Sequence, residues 1–410
     1  MLDIKFIREN KDFVVKATHD KGFDDSVVEK LLTIDQERRE LIQETESIRA
    51  KKNKLGREDI KEGKALKIEL KEIEEKLKTI ETEFTSLMLK IPNPSAADVK
   101  VGSADENEVV KKVGDLPEFA FNIRDHVDLG LLTDTIDLER GAKVSQSGFF
   151  YLKNDAVLLE LALFNYAFEK LIEKGFIPVI TPNVAKEKNI VGCGFQARSD
   201  KERQIYHIED EDLDLIATAE ITLMGMHGDE VIDYKKLPLK YVGLSSCYRK
   251  EIGSYGKDVR GILRVHEFKK VEMVILCDPK DSAKIHEEML SIEEEIYKEL
   301  GIPYQVVKMV SGDLGNAASE KYDIEAWMPS QNKYREITST SNTTDFQSRR
   351  LNIKTKINNE NIYVHSLNGT IVTTSRTIIS IYENFQNEDG SINIPTVLQK
   401  WMGKSKIETK

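Results

Sequence analysis

Cysteine is scarce in this chain of 410 residues, which holds only Cys193, Cys247 and Cys277. Their odd number and wide separation fit neither a disulfide framework nor a metal site, so we predict buried free thiols in a reducing compartment. No apolar run approaches the roughly 18 residues that span a bilayer, and the N-terminal MLDIKFIREN lacks the pattern of a signal or transit peptide. We therefore expect a cytoplasmic protein without a membrane segment.

Positive charge is in deficit, since 60 Lys and Arg against 71 Asp and Glu leave a formal net charge of −11. A protein of this sign does not coat nucleic acid with its whole surface. We expect no DNA partner, and any RNA contact must come from a local basic patch. The length exceeds one ordinary core and predicts two or three domains.

Proline is absent between residues 11 and 91, as long helices require. Within this stretch two rows of residues are spaced alternately four and three apart, and the second row, from Leu66 to Leu87, is wholly apolar. The turn GREDIKEGKA separates the two rows. Heptad rows joined by a short turn predict an antiparallel helical hairpin over about 27–90, with arms roughly 45 Å long.

The tip of this hairpin carries an uneven charge. Residues 49–71 include nine bases and four acids. A solvated helix face is the alternative interpretation of such a run. Because an acidic protein concentrates bases on a projecting arm, we favour an arm that offers its lysines to phosphates.

After a linker over 91–110, rich in proline, glycine and small polar residues, the pattern changes to mixed helices and strands. The proline-bearing FIPVITP is expected at a sheet edge. The predominance of strands predicts an α+β fold, a largely antiparallel sheet flanked by helices. The predicted strands are 176–182, 239–251, 262–276, 304–310, 333–340 and 362–374, and the predicted helices are 155–175, 281–300 and 376–386.

The segment YRKEIGSYGKDVRGILRVHEFKKVE places much charge in what reads as two strands around a glycine-rich loop. Side chains alternate faces along a strand, so Arg249 and Glu251 are expected to share a face of the first strand. The residues expected to share a face of the second strand are Arg264, His266, Phe268, Lys270 and Glu272. Guanidinium groups bind phosphate oxygens in a bidentate manner. An aromatic ring and a carboxylate suit a flat base with an amine.

These residues resemble the second signature motif of class II aminoacyl-tRNA synthetases, and the similarity is closest to the seryl-tRNA synthetase family. The segments ATAE, REITSTSNTTDFQSRR, LNGTIVTTSRTIISIYENFQ and PVITP resemble further motifs of that family, in the family's order. The resemblance implies a class II catalytic domain over 106–410. It also implies a tRNA-binding domain over 1–105 that contains the hairpin as an antiparallel coiled-coil arm.

The implied activity is that of a serine–tRNA ligase, which forms seryl-adenylate and pyrophosphate from serine and ATP and then transfers the seryl group to tRNA. The implied partners are tRNA(Ser), bound through the basic-tipped arm, and a second copy of the chain in a homodimer. The sequence leaves open whether tRNA(Sec) is also charged. Two alternatives stay open: a non-catalytic, RNA-binding paralogue, and a serine-activating enzyme that loads a carrier protein.

The resemblance also implies roles for individual residues at the nucleotide. Arg249, Arg376 and Glu336 are the expected catalytic residues, with the two arginines on the α- and γ-phosphates. Glu251 is expected to read the adenine amine and Phe268 to stack on the ring. The whole predicted ATP-binding set is Arg249, Lys250, Glu251, Val265, Phe268, Glu336, Ile337, Thr338, Ser339 and Arg376.

Magnesium, which arrives with ATP, is expected on Glu336 and Ser339, because this ion prefers a few protein oxygens together with phosphates and water. The predicted serine pocket consists of Thr218, Ala219, Glu220, Glu272 and Thr370. Thr370 precedes Arg376 by six residues, so an extended strand would put both on one face. The loop 191–204 departs from the family pattern, which leaves the closure of the substrate site unpredicted.

Overall fold

The computed structural model describes residues 1–56, 59–195, 204–252 and 260–410. The chain divides into two compact units, Met1–Ser95 and Ala96–Lys410. Residues 96–105, placed in the first domain by the sequence, belong to the second unit, where Val99 joins a small core. The assignment of a function to each unit stays a prediction.

The first unit is helical, and its two long helices run antiparallel. Arg49 near the end of one pairs with Glu74 at 2.7 Å, and Arg38 in its middle lies over the ring of Phe84 at 4.9 Å. The predicted hairpin is therefore present, but its second helix begins at Ile60, inside the predicted turn. The helices of this unit are α1 (Ile4–Glu9), α2 (Lys11–Asp20), α3 (Ser26–Lys52) and α4 (Ile60–Lys90).

The heptad rows form the seam between α3 and α4. Leu31, Ile48, Ile73 and Leu87 are all buried, although the surrounding helix surfaces are mostly exposed. Arg38 occupies a seam position and remains there because its guanidinium stacks on an aromatic ring of the facing helix. The two helices therefore stabilise each other along the whole arm.

The second unit is built on an eight-stranded sheet in which neighbouring strands are antiparallel except for the parallel pair at one edge. The proline-bearing strand lies at that edge, as predicted. In spatial order the strands are β1 (Glu108–Val113), β10 (Tyr304–Lys308), β11 (Glu320–Met328), β12 (Lys333–Asn342), β15 (His365–Thr373), β9 (Glu267–Cys277), β8 (Leu239–Tyr248) and β4 (Ile177–Ile180).

Helices cover both faces of this sheet. They are α5 (His126–Leu132), α6 (Leu138–Val144), α7 (Asp155–Glu173), α8 (Glu187–Gly192), α9 (Ala219–Gly225), α10 (Ser282–Leu300), α11 (Phe346–Leu351), α12 (Thr374–Asn384) and α13 (Gln399–Met402). The short strands are β2 (Ile136–Asp137), β3 (Tyr151–Leu152), β5 (Val184–Ala185), β6 (Asp214–Leu215), β7 (Val231–Ile232), β13 (Lys354–Ile357), β14 (Glu360–Tyr363), β16 (Ile392–Asn393) and β17 (Lys406–Ile407). Among the described residues, no helix combines the length and apolar character needed to cross a bilayer.

The central strand β9 contributes to a core on each face of the sheet. Met273 and Ile275 face the larger core, with residues of α7, α10 and α12, whereas Val274 and Leu276 face a second core with residues of α9. All three cysteines are buried free thiols, as predicted. Because β9 is covered on both sides, its polar residues nearer the N-terminus must either pair with each other or line a cavity.

Three predicted arrangements are wrong. Strand β9 begins at Glu267, so Arg264 and His266 precede the strand and share no strand face with Glu272. Strand β8 ends at Tyr248, so Arg249 and Glu251 follow the strand and share no strand face, and Glu251 has a φ of 51°. Thr370 and Arg376 also share no strand, because β15 bulges after Thr370 and Arg376 lies in the first turn of α12. The central part of the predicted glycine-rich loop, residues 253–259, lies outside the described residues, as does 196–203 of the divergent loop.

Candidate active site

Two adjoining cavities open on the α9 face of the sheet and share four lining residues: Arg249, Lys270, Glu336 and Thr370. The residues predicted for ATP line the first cavity: Arg249, Glu251, Val265, Phe268, Glu336, Ile337, Thr338 and Arg376. The residues predicted for serine line the second, together with one predicted magnesium ligand: Thr218, Glu220, Glu272, Thr370 and Ser339. The structure thus brings the two predicted sets together across one common wall.

Two predicted contact residues do not line either cavity. Lys250 is held elsewhere, because its amide donates to the carbonyl of Gln204 at 2.8 Å and its ammonium lies over the ring of Tyr206. Ala219 is fully buried in the core beneath α9. The side chain of Thr338 also turns away from the cavity, since its hydroxyl donates to Glu293 at 2.9 Å, which leaves the Thr338 backbone for a ligand.

The entrance of the first cavity is held by contacts between the segments that flank the glycine-rich loop. The amide of Arg249 donates to the carbonyl of His266 at 2.9 Å, and the His266 ring lies 3.0 Å from the carbonyl of Arg249. The carboxylate of Glu251 pairs with Arg264 at 2.5 Å. These bonds continue the pairing of β8 and β9 beyond the strand end, which fixes Arg249 over the cavity.

Three arginines and Lys270 line the first cavity, and two of the arginines, Arg249 and Arg376, are those predicted for phosphates. The guanidinium of Arg249 lies 5.2 Å from the centre of the Phe268 ring. Arg376 donates to the backbone carbonyl of Glu336 at 3.0 Å and pairs with its carboxylate at 3.2 Å. Burial opposes ionisation of Glu336, but the charges of Arg376, Lys321 and Arg249 outweigh it and hold the pKa of that carboxyl well below its usual range.

Three carboxylates and three cationic side chains line the second cavity, and close packing of α9 on β8 positions the first of these carboxylates. Thr218 begins α9 as its N-cap, and its hydroxyl accepts from the amide of Glu220. A Cβ on Gly243 would come within 2.9 Å of Leu223 and 3.1 Å of Ala219, so only glycine lets the helix approach this closely. Gly243 pairs across the sheet with Glu272, which brings Glu220 and Glu272 to one cavity.

Glu220 is 5% exposed and is fixed by two side-chain amides. Gln347 donates to Glu220 Oε1 at 2.6 Å and Asn368 donates to the same oxygen at 2.9 Å. Burial raises the pKa of Glu220, and the negative charge of Glu272 raises it further, to about 7. The carboxyl therefore titrates near neutral pH in the ligand-free protein.

The other carboxylate of this cavity belongs to a buried cluster of three polar groups. Lys270 Nζ lies 2.6 Å from Glu272 Oε2 and 3.2 Å from the hydroxyl of Thr370. The hydroxyl of Thr370 donates to the same Glu272 oxygen at 2.9 Å. The cluster links β9 to β15 at the wall that both cavities share.

Sequence reasoning gave no role to Lys270, Gln347 or Asn368, although each contributes to the second cavity or holds a residue that does. Strand parity placed Lys270 on the face of Glu272 without a role, and it could also have identified Asn368, which lies two residues from Thr370. No periodic pattern in the sequence around Gln347 indicates that its side chain would contact Glu220. It reaches Glu220 only because α11 packs against α8 and α9.

The chain matches two protein-family models. Residues 205–385 match the tRNA synthetase class II core domain (G, H, P, S and T), and residues 1–95 match the seryl-tRNA synthetase N-terminal domain. The second unit therefore has the core fold of the class II aminoacyl-tRNA synthetases, which confirms the predicted fold class.

Full-length relatives make the assignment narrower. The serine–tRNA ligases of Dictyoglomus turgidum and Borrelia recurrentis are 45% and 46% identical, with 100% of both chains covered in each case. Seryl-tRNA synthetase from Pyrococcus horikoshii, solved in complex with ATP, superposes with a TM-score of 0.93 at 39% identity over 100% of both chains. The cytoplasmic serine–tRNA ligase of Naegleria fowleri, solved with AMP, gives 0.88 at 36% identity, covering 100% of this chain and 99% of the other. The chain belongs to the seryl-tRNA synthetase family.

Proposed function

We propose that this chain is a serine–tRNA ligase that activates serine with ATP and transfers it to tRNA(Ser). The observation that carries the proposal is the common wall of the two cavities. One cavity presents two arginines for phosphates, the other presents two carboxylates for an ammonium and a hydroxyl, and Arg249 lines both. A site of this kind holds the serine carboxylate beside the α-phosphate, which is the geometry that adenylation requires.

In the first step, a serine carboxylate oxygen forms a bond to the α-phosphorus while the bond to the β-phosphate oxygen breaks and pyrophosphate leaves. Negative charge spreads over phosphate oxygens during this exchange. Arg249 at the wall stabilises the α-phosphate, and Arg376, at the first turn of α12, binds the departing phosphates. Phe268 provides a flat apolar surface for adenine once the guanidinium of Arg249 turns toward the phosphate.

Magnesium fits the oxygen groups beside this wall. Glu336 lines both cavities, its low pKa keeps it ionised, and Ser339 lines the second cavity on the same strand. A carboxylate and a hydroxyl would hold the ion, which supplies charge neutralisation when bound to ATP. Among the described residues no group of three or more His, Cys, Asp or Glu forms a metal site, so the nucleotide must complete the coordination.

In the second step, a ribose hydroxyl of tRNA attacks the activated carbonyl carbon and AMP leaves. We propose that the first unit brings the tRNA to the enzyme through the tip of its hairpin. Six lysines of that region are exposed in the structure: Lys51, Lys52, Lys54, Lys61, Lys64 and Lys67. Exposed ammonium groups at one end of a helical hairpin suit the phosphates of a folded RNA, which proteins recognise largely by shape.

The second unit also presents an apolar surface for a second copy of the chain. Leu158, Leu161 and Ile172 are exposed on α7, and the adjacent edge strand β4 exposes Ile177 and Ile180, the last at 82%. An exposed edge strand beside apolar side chains favours pairing between copies. These features support the predicted homodimer.

The test of the proposed function is exchange of pyrophosphate into ATP, measured with serine, alanine and threonine in parallel. We expect exchange with serine. We expect little with alanine, which leaves buried acceptors unpaired, a discrimination that reaches about 10⁴-fold in favourable sites, and little with threonine, whose extra methyl group needs space. Folded protein that shows no exchange with serine would instead support the non-catalytic paralogue. Exchange without charging of tRNA(Ser) would support the carrier-loading enzyme.

A further inference from the structure

Lys270 is a buried cation to which the proposed reaction gives no role. Its side chain is 7% exposed and lines both cavities. Along β9 it lies between Phe268 and Glu272, so all three side chains project from one face of the strand. Lysine is almost never buried to this degree without a partner, and the partners of Lys270 indicate what it does.

The hydrogen bonds around Lys270 have directions that chemistry fixes. An ammonium group carries three donors and no acceptor, so Thr370, whose hydroxyl lies 3.2 Å from Nζ, must accept from Lys270. The proton of the Thr370 hydroxyl then points to Glu272 Oε2 at 2.9 Å, and Lys270 also contacts that same oxygen at 2.6 Å. One carboxylate oxygen is thus occupied by two protein donors.

Glu272 and Thr370 leave only acceptors for a ligand, whereas the two contacts that Lys270 makes within the described residues leave one of its three N–H groups over. In the part of the chain that the structure describes, no protein donor contacts the other oxygen of Glu272, Oε1, and Thr370 retains one lone pair. Without the ammonium, the Thr370 hydroxyl could turn its proton toward the cavity and act as a donor. Lys270 therefore determines whether the Thr370 hydroxyl acts as an acceptor or as a donor toward a ligand.

We propose that Lys270 is a specificity-determining positioning residue of the serine site. It orients Thr370 and Glu272 so that these two residues present acceptors to the ligand. The inference rests on the proposed function, because serine brings the matching donors, one hydroxyl O–H and three ammonium N–H groups. Alanine keeps the ammonium but has a methyl group in place of the serine hydroxyl. The buried acceptors of Thr370 and Glu272 that the hydroxyl would contact therefore remain unpaired.

The experiment compares full-length wild type, Lys270→Met, Lys270→Arg and Lys333→Met in pyrophosphate exchange with serine and with alanine. In Lys270→Met we expect kcat/KM for serine to fall by about 10- to 100-fold, mainly through KM, which is the usual effect of losing a charge-assisted hydrogen bond. The alanine rate and the KM for ATP should change by less than about threefold, so the ratio of serine to alanine narrows. Lys270→Arg, which keeps the donors, should recover part of that ratio.

Lys333→Met makes the same change at an exposed lysine of the same sheet and should keep the wild-type ratio. An unchanged ratio in Lys270→Met, or an equal loss of serine and ATP binding, would overturn the proposal. Should Lys270→Met fail to fold, the double variant Lys270→Met/Glu272→Gln removes both buried charges. Because Lys270 acts through Glu272 and Thr370, adding Lys270→Met to the double variant Glu272→Gln/Thr370→Val should cause no further loss of discrimination, and a further loss would contradict the inference. Absence of serine-dependent exchange in wild type would refute the proposed function instead.

Discussion

Replacement of Glu220 by glutamine should stabilise the protein at alkaline pH while it weakens serine binding. The pKa of Glu220 is raised from 4.5 to about 7, first by burial and then by the charge of Glu272. A carboxyl whose pKa is higher in the folded state binds its proton more tightly there. Its contribution to stability is therefore fully present below pH 4.5 and is lost as the pH rises through 7. The loss amounts to about 3 kcal/mol, since each pKa unit corresponds to about 1.4 kcal/mol.

Glutamine is a suitable replacement because its carbonyl oxygen can accept from Gln347 and Asn368, as Glu220 Oε1 does, without a charge to desolvate. Urea unfolding followed by tryptophan fluorescence at pH 5 and pH 8 measures the effect on the second unit, which contains both Trp327 and Trp401. The free energy of unfolding of Glu220→Gln minus that of wild type should increase by about 2–3 kcal/mol from pH 5 to pH 8.

An exposed glutamate changed in the same way, Glu187→Gln, serves as the control and should show no such gain. The serine KM of wild type should rise as the pH falls below about 7, because the protonated carboxyl no longer attracts the ammonium. In Glu220→Gln it should be high throughout. If the difference in unfolding free energy between wild type and Glu220→Gln were the same at pH 5 and pH 8, the reasoning about Glu220 would be wrong.

Two further predictions concern the packing of α9 and the charge of the arm. Gly243→Ala should destabilise the second unit by about 1–3 kcal/mol in urea unfolding. Because the added Cβ moves α9, the variant should also raise the KM for serine more than the KM for ATP. Equal changes in both KM values would contradict this reasoning. Lys64→Gln with Lys67→Gln should leave pyrophosphate exchange unchanged but lower the slope of tRNA affinity against salt by about two. The same change at Lys76 and Lys78, which lie farther from the tip, should preserve the slope. Equal slopes in the two variants would show that the lysines at the tip have no special role in binding tRNA.

Much of the fold was predictable because its signals are local and periodic. The seam from Leu66 to Leu87 needed only heptad spacing, and the proline in β4 indicated a sheet edge. Strand β11 was missed because Glu320 and Asp323 interrupt its apolar pattern. In the folded chain Glu320 pairs with Lys308 at 2.8 Å, a contact between neighbouring strands that no local pattern reveals.

Most residues that the motif resemblance named line the two cavities, but the arrangement expected of them was partly wrong. Motif resemblance named Arg249, Thr370 and Arg376, and all three do line the first cavity. The reasons given from strand parity were wrong, because Arg249 follows the end of β8 and Arg376 lies on a helix. A bulge or a strand end shifts the facing of every later side chain. Such irregularities depend on neighbouring strands, which single-sequence periodicity does not include.

Strand β9 explains why so much charge is folded into the sheet. Its alternate residues Phe268, Lys270 and Glu272 line the cavities, whereas Val274 and Leu276, two and four residues farther on the same face, lie in the core with α9. On this face of the strand, the change from core packing to cavity lining thus occurs between Val274 and Glu272, which are neighbours on that face. The elements that bury the core therefore also desolvate the carboxylates. This desolvation raises the pKa of Glu220 and lowers the stability of the protein when the site is empty. Serine brings hydrogen-bond donors to these carboxylates. The free energy that the empty site costs the folded protein is therefore recovered when serine binds, and this favours serine over ligands without those donors.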